Sequence, residues 1–290
     1  MSSDARARLA APAPLVLPRG GTLDFTRVRV MGVLNVTPDS FSDGGRYLDS
    51  EAAVARGLAL VEAGADVLDV GGESTRPGSA PVAAAEQIRR IAPVIEKLAV
   101  RTAVPISIDT TSAEVARAAL AAGGQIVNDI SAFRFDSGMI PLLAESGVPA
   151  VAMHTLAPPS TMQDDPRYLD VVGQVIAHLL ERVERCVAAG VVRSQIALDP
   201  GIGFGKTLAH NLALIRALPE LVALGHAVLV GTSRKSFLGR ITGRPVDERE
   251  MATAGSVAAS IVLGAHIVRV HDVAGLRDAI AVADAIARGA

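Results

Sequence analysis

The 290-residue chain predicts an α/β fold, a single (β/α)8 TIM barrel. Three observations lead there. Short β-branched apolar runs alternate eight times with longer amphipathic stretches, the apolar runs carry too few polar residues to be half-exposed, and no linker or shift in composition divides the chain. A doubly wound dinucleotide fold would put Gly-x-Gly-x-x-Gly after the first strand, and MGVLNVTPDS stands there instead.

Residues 1–21, which include the Pro/Ala-rich LAAPAPLVLP, are expected to form a flexible arm, and residues 22–290 the barrel domain. Strands are expected at 28–34, 66–70, 105–109, 125–129, 149–154, 195–199, 227–231 and 266–271. Helical periodicity fills the intervals. SEAAVARGLALVEAG is expected to be capped by Ser50, and Thr111 and Glu114 have capping-box spacing at the start of TSAEVARAALAAG. Gly64, Gly123 and Gly190 end such stretches as C-cap glycines do.

Half of the residues are apolar, 20% are charged, 3% are aromatic and none is tryptophan, so the core is built from Ala, Val, Leu and Ile. A net charge of −2 leaves no electrostatic footprint for a polyanion, and nucleic acid is not expected as a partner. No apolar run reaches the roughly 20 residues that cross a membrane. The proline-broken N-terminus does not read as a signal peptide. With one cysteine, Cys186, no internal disulfide is possible, and a reducing cytoplasm is expected. His178, His210, His226 and His266 show no zinc spacing and are expected at the surface or at helix ends.

In such a barrel the chemistry lies at the C-terminal ends of the strands. Reading those ends in turn gives Asn35; Glu73, Ser74 and Thr75; Asp109; Asn128 with Asp129; His154; Asp199; Ser233 with Lys235; and Arg269 with His271. Two carboxylates, an amide and a lysine above apolar strands suit a flat heterocycle with an amino-pyrimidinone edge, because carboxylates accept from ring N–H and amine together while a lysine donates to a carbonyl. Arg269 and His271, two apart, share a face and could hold an anion. A hard cation such as Mg2+ on Asn35 and phosphate oxygens needs no dedicated cage. Lys235 could also serve as a Schiff-base lysine, although Arg234 beside it favours a charged, hydrogen-bonding role.

LDPGIGFGKT, residues 198–207, imitates a phosphate loop, but Pro200 occupies the position of the first glycine and supplies no N–H. Lys206 is therefore expected to be a peripheral or structural charge.

Seven motifs occur in order: MGVLNVTPDSFSDGG, GGESTRPG, SIDT, VNDIS, LDPGIGFGK, GTSRKSFLG and RVHDV. In them the chain, from about residue 30 to 273, closely resembles the dihydropteroate synthase family of pterin-binding barrels. The resemblance implies that 6-hydroxymethyl-7,8-dihydropterin diphosphate and 4-aminobenzoate are joined with loss of diphosphate, with Mg2+ as cofactor, in a homodimer. It implies a pterin pocket of Asp109, Asn128, Asp199 and Lys235 with Phe204 near the ring and Thr75 at its edge. It puts diphosphate and metal at Asn35, Arg269 and His271. Aminobenzoate, and sulfonamide drugs in its place, fall to Phe41, Thr75, Pro77 and Ser236. Catalysis would be electrostatic, with Arg269 and His271 on the departing anion and Asp39 and Asp109 on the developing cation, near Lys235. The segment 155–159, TLAPP, departs from the family pattern and is expected to lie away from these residues.

Two other readings share part of the pattern. A methyltetrahydrofolate corrinoid methyltransferase has the same pterin logic but no use for the diphosphate end. A catalytically silent pterin-binding paralogue would need neither Asn35 nor Arg269.

Overall fold

The computed structural model describes residues 11–37 and 46–289. Eight parallel strands follow one another around the barrel: β3 (Arg29–Asn35), β4 (Val67–Gly71), β5 (Ile106–Asp109), β6 (Ile126–Asp129), β7 (Ala150–Met153), β8 (Ile196–Asp199), β9 (Leu229–Val230) and β10 (Ile267–Val270). β10 pairs with both β3 and β9, and a parallel bridge from Leu198 to Val228 closes the ring between β8 and β9. All eight expected strands are present, the first two shifted one residue toward the C-terminus and the other six trimmed by a residue or two at one or both ends.

Helices cover the outside: α1 (Arg46–Glu62), α2 (Ala84–Arg101), α3 (Ala113–Ala122), α4 (Met139–Ser146), α5 (Val171–Ala188), α6 (Leu208–Arg216), α7 (Leu218–Val222), α8 (Ser236–Thr242), α9 (Glu250–Val262) and α10 (Val273–Arg288). Two expected caps shift. Ser50 lies inside α1, and Ser112 rather than Thr111 caps α3, its side chain accepting from Val115 N. Gly123 closes α3 at φ 119°, a left-handed conformation that glycine adopts without a Cβ clash.

Alternation along each strand divides the apolar residues between two cores. Leu68, Val70, Ile106, Ile108, Val127, Leu198, Val230 and Val268 face outward to the helices. Met31, Val67, Ile126, Val151, Ala197, Leu229 and Ile267 face inward and fill the lower barrel. The same inward core contains Leu15, Leu17, Leu23 and Phe25 from a short antiparallel hairpin, β1 (Leu15–Val16) and β2 (Thr22–Leu23).

That hairpin corrects the expected arm. Residues 15–21 are part of the domain, and they dock because an open barrel end would otherwise expose its apolar floor to water. The hairpin is held further by Val16 N donating to Gln195 Oε1 at 2.7 Å. His226 and His266 are also buried rather than at the surface; His266 packs edge-on against Phe25, and its Nδ1 accepts from Val228 N.

Candidate active site

One step above the apolar floor, the same alternation turns Asp69, Ser107, Asp109, Asn128, Asp199 and Arg269 inward. Arg269 bonds two of the others. Its Nε donates to Asp69 Oδ2 at 2.6 Å and its Nη2 to Asp109 Oδ2 at 2.7 Å, while Asn128 Nδ2 donates to Asp69 Oδ2 at 3.1 Å. Asp69 Oδ1, Asp109 Oδ1 and Ser107 Oγ are buried with no hydrogen-bond partner among the described residues. Buried acceptors are ordinarily satisfied, so this floor is prepared for donors that arrive with a ligand.

Burial dominates the electrostatics. It raises the Asp109 carboxyl above the ordinary range, with Asp69, Asp129 and Glu73 acting in the same direction and Arg269 opposing. Burial likewise raises Asp199, against the attraction of Lys235. It pushes the Lys235 ammonium down to about 8, against the pull of Asp199. Lys235 lies over the Phe204 ring, 4.6 Å from its centroid, and donates to Ile202 O.

One wall is apolar: Ile130, Met153, Met162 and Phe204 pack together at the mouth. Ile130 is held there by a strained loop in which Ala132 and Phe133 take φ of 52° and 66°. Arg182 on α5 donates to both of their carbonyls, at 2.8 and 3.1 Å. Asp129, expected on the rim beside Asn128, instead turns outward and accepts from Ser131 N and Oγ.

Around the mouth, Asn35 ends β3, the strand that pairs with β10, in register with Gly71 of β4. His271 Nδ1 lies 2.9 Å from Ser233 Oγ. Burial, reinforced by Arg269, Arg234, Arg76 and Lys235, pushes His271 down to about 3. With no anion beside it the ring is therefore neutral, with one ring nitrogen carrying a proton. Thr75 is half-buried, while Pro77 on the loop after β4 and Ser236 at the start of α8 are exposed. Asp39 and Phe41 lie outside the described residues.

Several rim residues have supporting contacts. Glu73 accepts from Val82 N and Gln87 Nε2, and Ser74 pairs with Ser79, which brace the loop after β4. The loop at 155–159 is not remote: Pro159 O accepts from Gly78 N, next to Pro77, and Arg134 donates to Thr155 O. Lys206 and His154 are buried together rather than peripheral. Asp69 escaped the sequence reading, which looked only at strand ends; its place two residues after inward Val67 in DVLDV was the available signal.

A closed parallel barrel whose interior ends in carboxylates, an amide, a lysine and an aromatic face defines an enzyme that grips a flat amino-bearing heterocycle beside an anion. The pterin binding enzyme family matches residues 31–271. Dihydropteroate synthases of Mycobacterium leprae and Escherichia coli are 52% and 43% identical over 270 residues each, spanning 91% and 92% of this chain and 95% and 94% of theirs. The structure of Xanthomonas albilineans dihydropteroate synthase with 4-aminobenzoic acid superposes with a TM-score of 0.89 at 45% identity, covering 95% of this chain and 98% of that one. A Yersinia pestis dihydropteroate synthase structure with a sulfonamide drug complex gives a TM-score of 0.90 at 41% identity, covering 96% of this chain and 100% of that one. The chain belongs to the pterin-binding enzymes and, among them, to the dihydropteroate synthases. Its activity is that transferase activity, and the methyltransferase and silent-paralogue readings are not favoured.

Proposed function

We propose that the floor binds the dihydropterin ring of 6-hydroxymethyl-7,8-dihydropterin diphosphate. Asp109, Asn128 and Asp199 take its amino edge, Lys235 donates to its carbonyl, Phe204 lies against the ring and Thr75 borders it. The observation that carries this is that Asp109 Oδ1, with Asp69 Oδ1 below it, is buried without a hydrogen-bond partner among the described residues, in the same floor as the Asn128 amide and the Lys235 ammonium. Arg269 and His271 hold the diphosphate with Asn35. Thr75, Pro77, Ser236 and Phe41 border 4-aminobenzoate, in whose place sulfonamides bind.

The bond between the pterin methylene and the diphosphate oxygen breaks, and its electron pair leaves with the diphosphate. Positive charge spreads into the pterin and is stabilised by Asp109 and Asp39. The aminobenzoate nitrogen then forms the new bond to the methylene and sheds its proton to solvent. The arylamine is neutral near pH 7, so no strong base is needed.

The donor set fits Mg2+ as a passenger of the diphosphate. An amide oxygen at Asn35 is the kind of hard ligand such an ion takes, and among the described residues no cluster of three His, Cys, Asp or Glu forms a cage. When bound, it neutralises charge on the leaving group.

We place the enzyme in the cytoplasm, where buried Cys186 stays a thiol; no helix among the described residues is long and apolar enough to cross a membrane. A homodimer is supported by the exposed stripe Met251, Gly255, Ala259 and Val262 on α9, beside exposed Val282 and Ile286 on α10. Light scattering giving a monomer at micromolar concentration would remove it.

The reading is tested by incubating the chain with the dihydropterin diphosphate, 4-aminobenzoate and Mg2+. Dihydropteroate and diphosphate should appear in equal amounts, and chelation should suppress both. Product formation that survives chelation would exclude the metal role.

A further inference from the structure

The Gly-Lys-Thr end of the segment at 198–207 has no part in the roles above, yet Lys206 is one of the most completely buried charges in the chain, 4% exposed. Its Nζ donates to Phe204 O at 2.9 Å and His154 O at 3.3 Å, and lies 3.1 Å from His154 Nδ1. Burial pushes His154 down to about 2, so its ring is neutral and Nδ1 can accept. All three ammonium hydrogens are thereby used, and none remains for a phosphate.

These partners lie on two loops. His154 follows β7, Phe204 follows β8, and both flank the apolar wall formed by Ile130, Met153, Met162 and Phe204. The loops touch so closely that a Cβ on Gly201 would stand 1.9 Å from His154 O, and Gly201 takes φ 68°. Gly201 N in turn donates to Asp199 Oδ1 at 2.7 Å. The ammonium thus closes a short circuit from His154 through Phe204 and Gly201 to the Asp199 carboxylate.

We propose that Lys206 is a positioning residue for pterin binding: it clasps the loops after β7 and β8 and so holds the Phe204 ring and the Asp199 carboxylate in binding geometry. This rests on the pterin reading of Asp199 and Phe204. Burial pushes the Lys206 ammonium down to about 7, and the Asp199 carboxylate opposes that shift. The charge is therefore held at a desolvation cost that a bare loop tie would not require. Its other charged or titratable neighbours are Lys235 after β9, His178 on α5, His210 on α6 and Arg134 after β6.

Removing the ammonium leaves two buried carbonyls unsatisfied and lets the loops part, which loosens the pterin side. Lys206 makes its hydrogen bonds to Phe204 and His154, and the aminobenzoate border at Thr75, Pro77 and Ser236 meets the loop after β7 only further along, where Gly78 N donates to Pro159 O. Steady-state kinetics on the full-length Lys206→Met variant should raise KM for the dihydropterin diphosphate roughly tenfold or more and leave KM for 4-aminobenzoate within about twofold. A uniform fall in kcat with both KM values unchanged would overturn the proposal, because a merely structural lysine lowers only the fraction of active enzyme. Lys206→Gln, which keeps an N–H donor, should fall between Met and wild type. If neither variant melts cooperatively, Lys206 is a folding element and the proposal fails. Asp199→Asn separates the two levels: an unchanged dihydropterin KM there removes the pterin reading itself. A raised value there beside an unaffected Lys206→Met removes only the clasp.

Discussion

Arg269 is a guanidinium held between Asp69 and Asp109, its side chain 19% exposed and theirs 0% and 5%. The two carboxylates raise its pKa further above the ordinary value, although burial acts the other way. Arg269→Ala would therefore act twice. Leaving Asp69 and Asp109 buried without a counter-charge should cost about 3–5 kcal/mol of stability. Loss of a donor to the departing diphosphate should lower kcat by roughly 10²–10³. KM for the dihydropterin should change much less, and unchanged turnover at saturation would show that Arg269 does not meet the leaving group. Asp109, Asn128, Asp199, Lys235 and Arg269 were legible because each ends a strand or follows one. Asp69 lies inside DVLDV rather than at its end, and its pairing with Arg269, 200 residues away, exists only once the barrel brings the two together.

The hairpin β1–β2 shows what local pattern misses. Two-residue strands between prolines carry no measurable period, so Leu15 and Leu17 read as part of a loose arm. They are 1% and 8% exposed because the floor of the barrel needs a cover. Leu15→Ala should cost about 2–5 kcal/mol in urea denaturation without altering kcat/KM of the folded fraction, since the hairpin closes the end opposite the active site. An unaffected urea midpoint would restore the loose arm.

Across the whole molecule, burial keeps several histidines neutral. It lowers His266 and His178 to about 4 each and His271 to about 3. Unfolded, each would take up a proton near pH 6.5; folded, each refuses it until far lower. In that window these histidines bind more protons unfolded than folded, so their own contribution to stability rises with pH; the carboxyls of Asp109 and Asp129, raised by burial to about 7 and about 6, act in the opposite sense. The histidine contribution should be fully present above pH 6.5 and be lost as pH falls toward 4, with about 3 kcal/mol from His266 alone. Urea midpoints at pH 7 and pH 5 for the wild type and for His266→Gln isolate that contribution: the wild type should lose more stability than the variant on going to pH 5, and an equal loss would show that the His266 imidazole is hydrated in the folded state.

Strand positions, the inward and outward faces and the motifs that end each strand were all written in local order. A two-residue period and a run of β-branched side chains act within a few residues of themselves. Which inward residues meet was settled only by closure of the ring. Register placed Arg269 against Asp69 and Asp109, and the close approach of two loops buried Lys206 against His154. The open floor drew the hairpin in. Each of these depends on desolvation and on contacts between distant segments, and those quantities exist only once the barrel has closed.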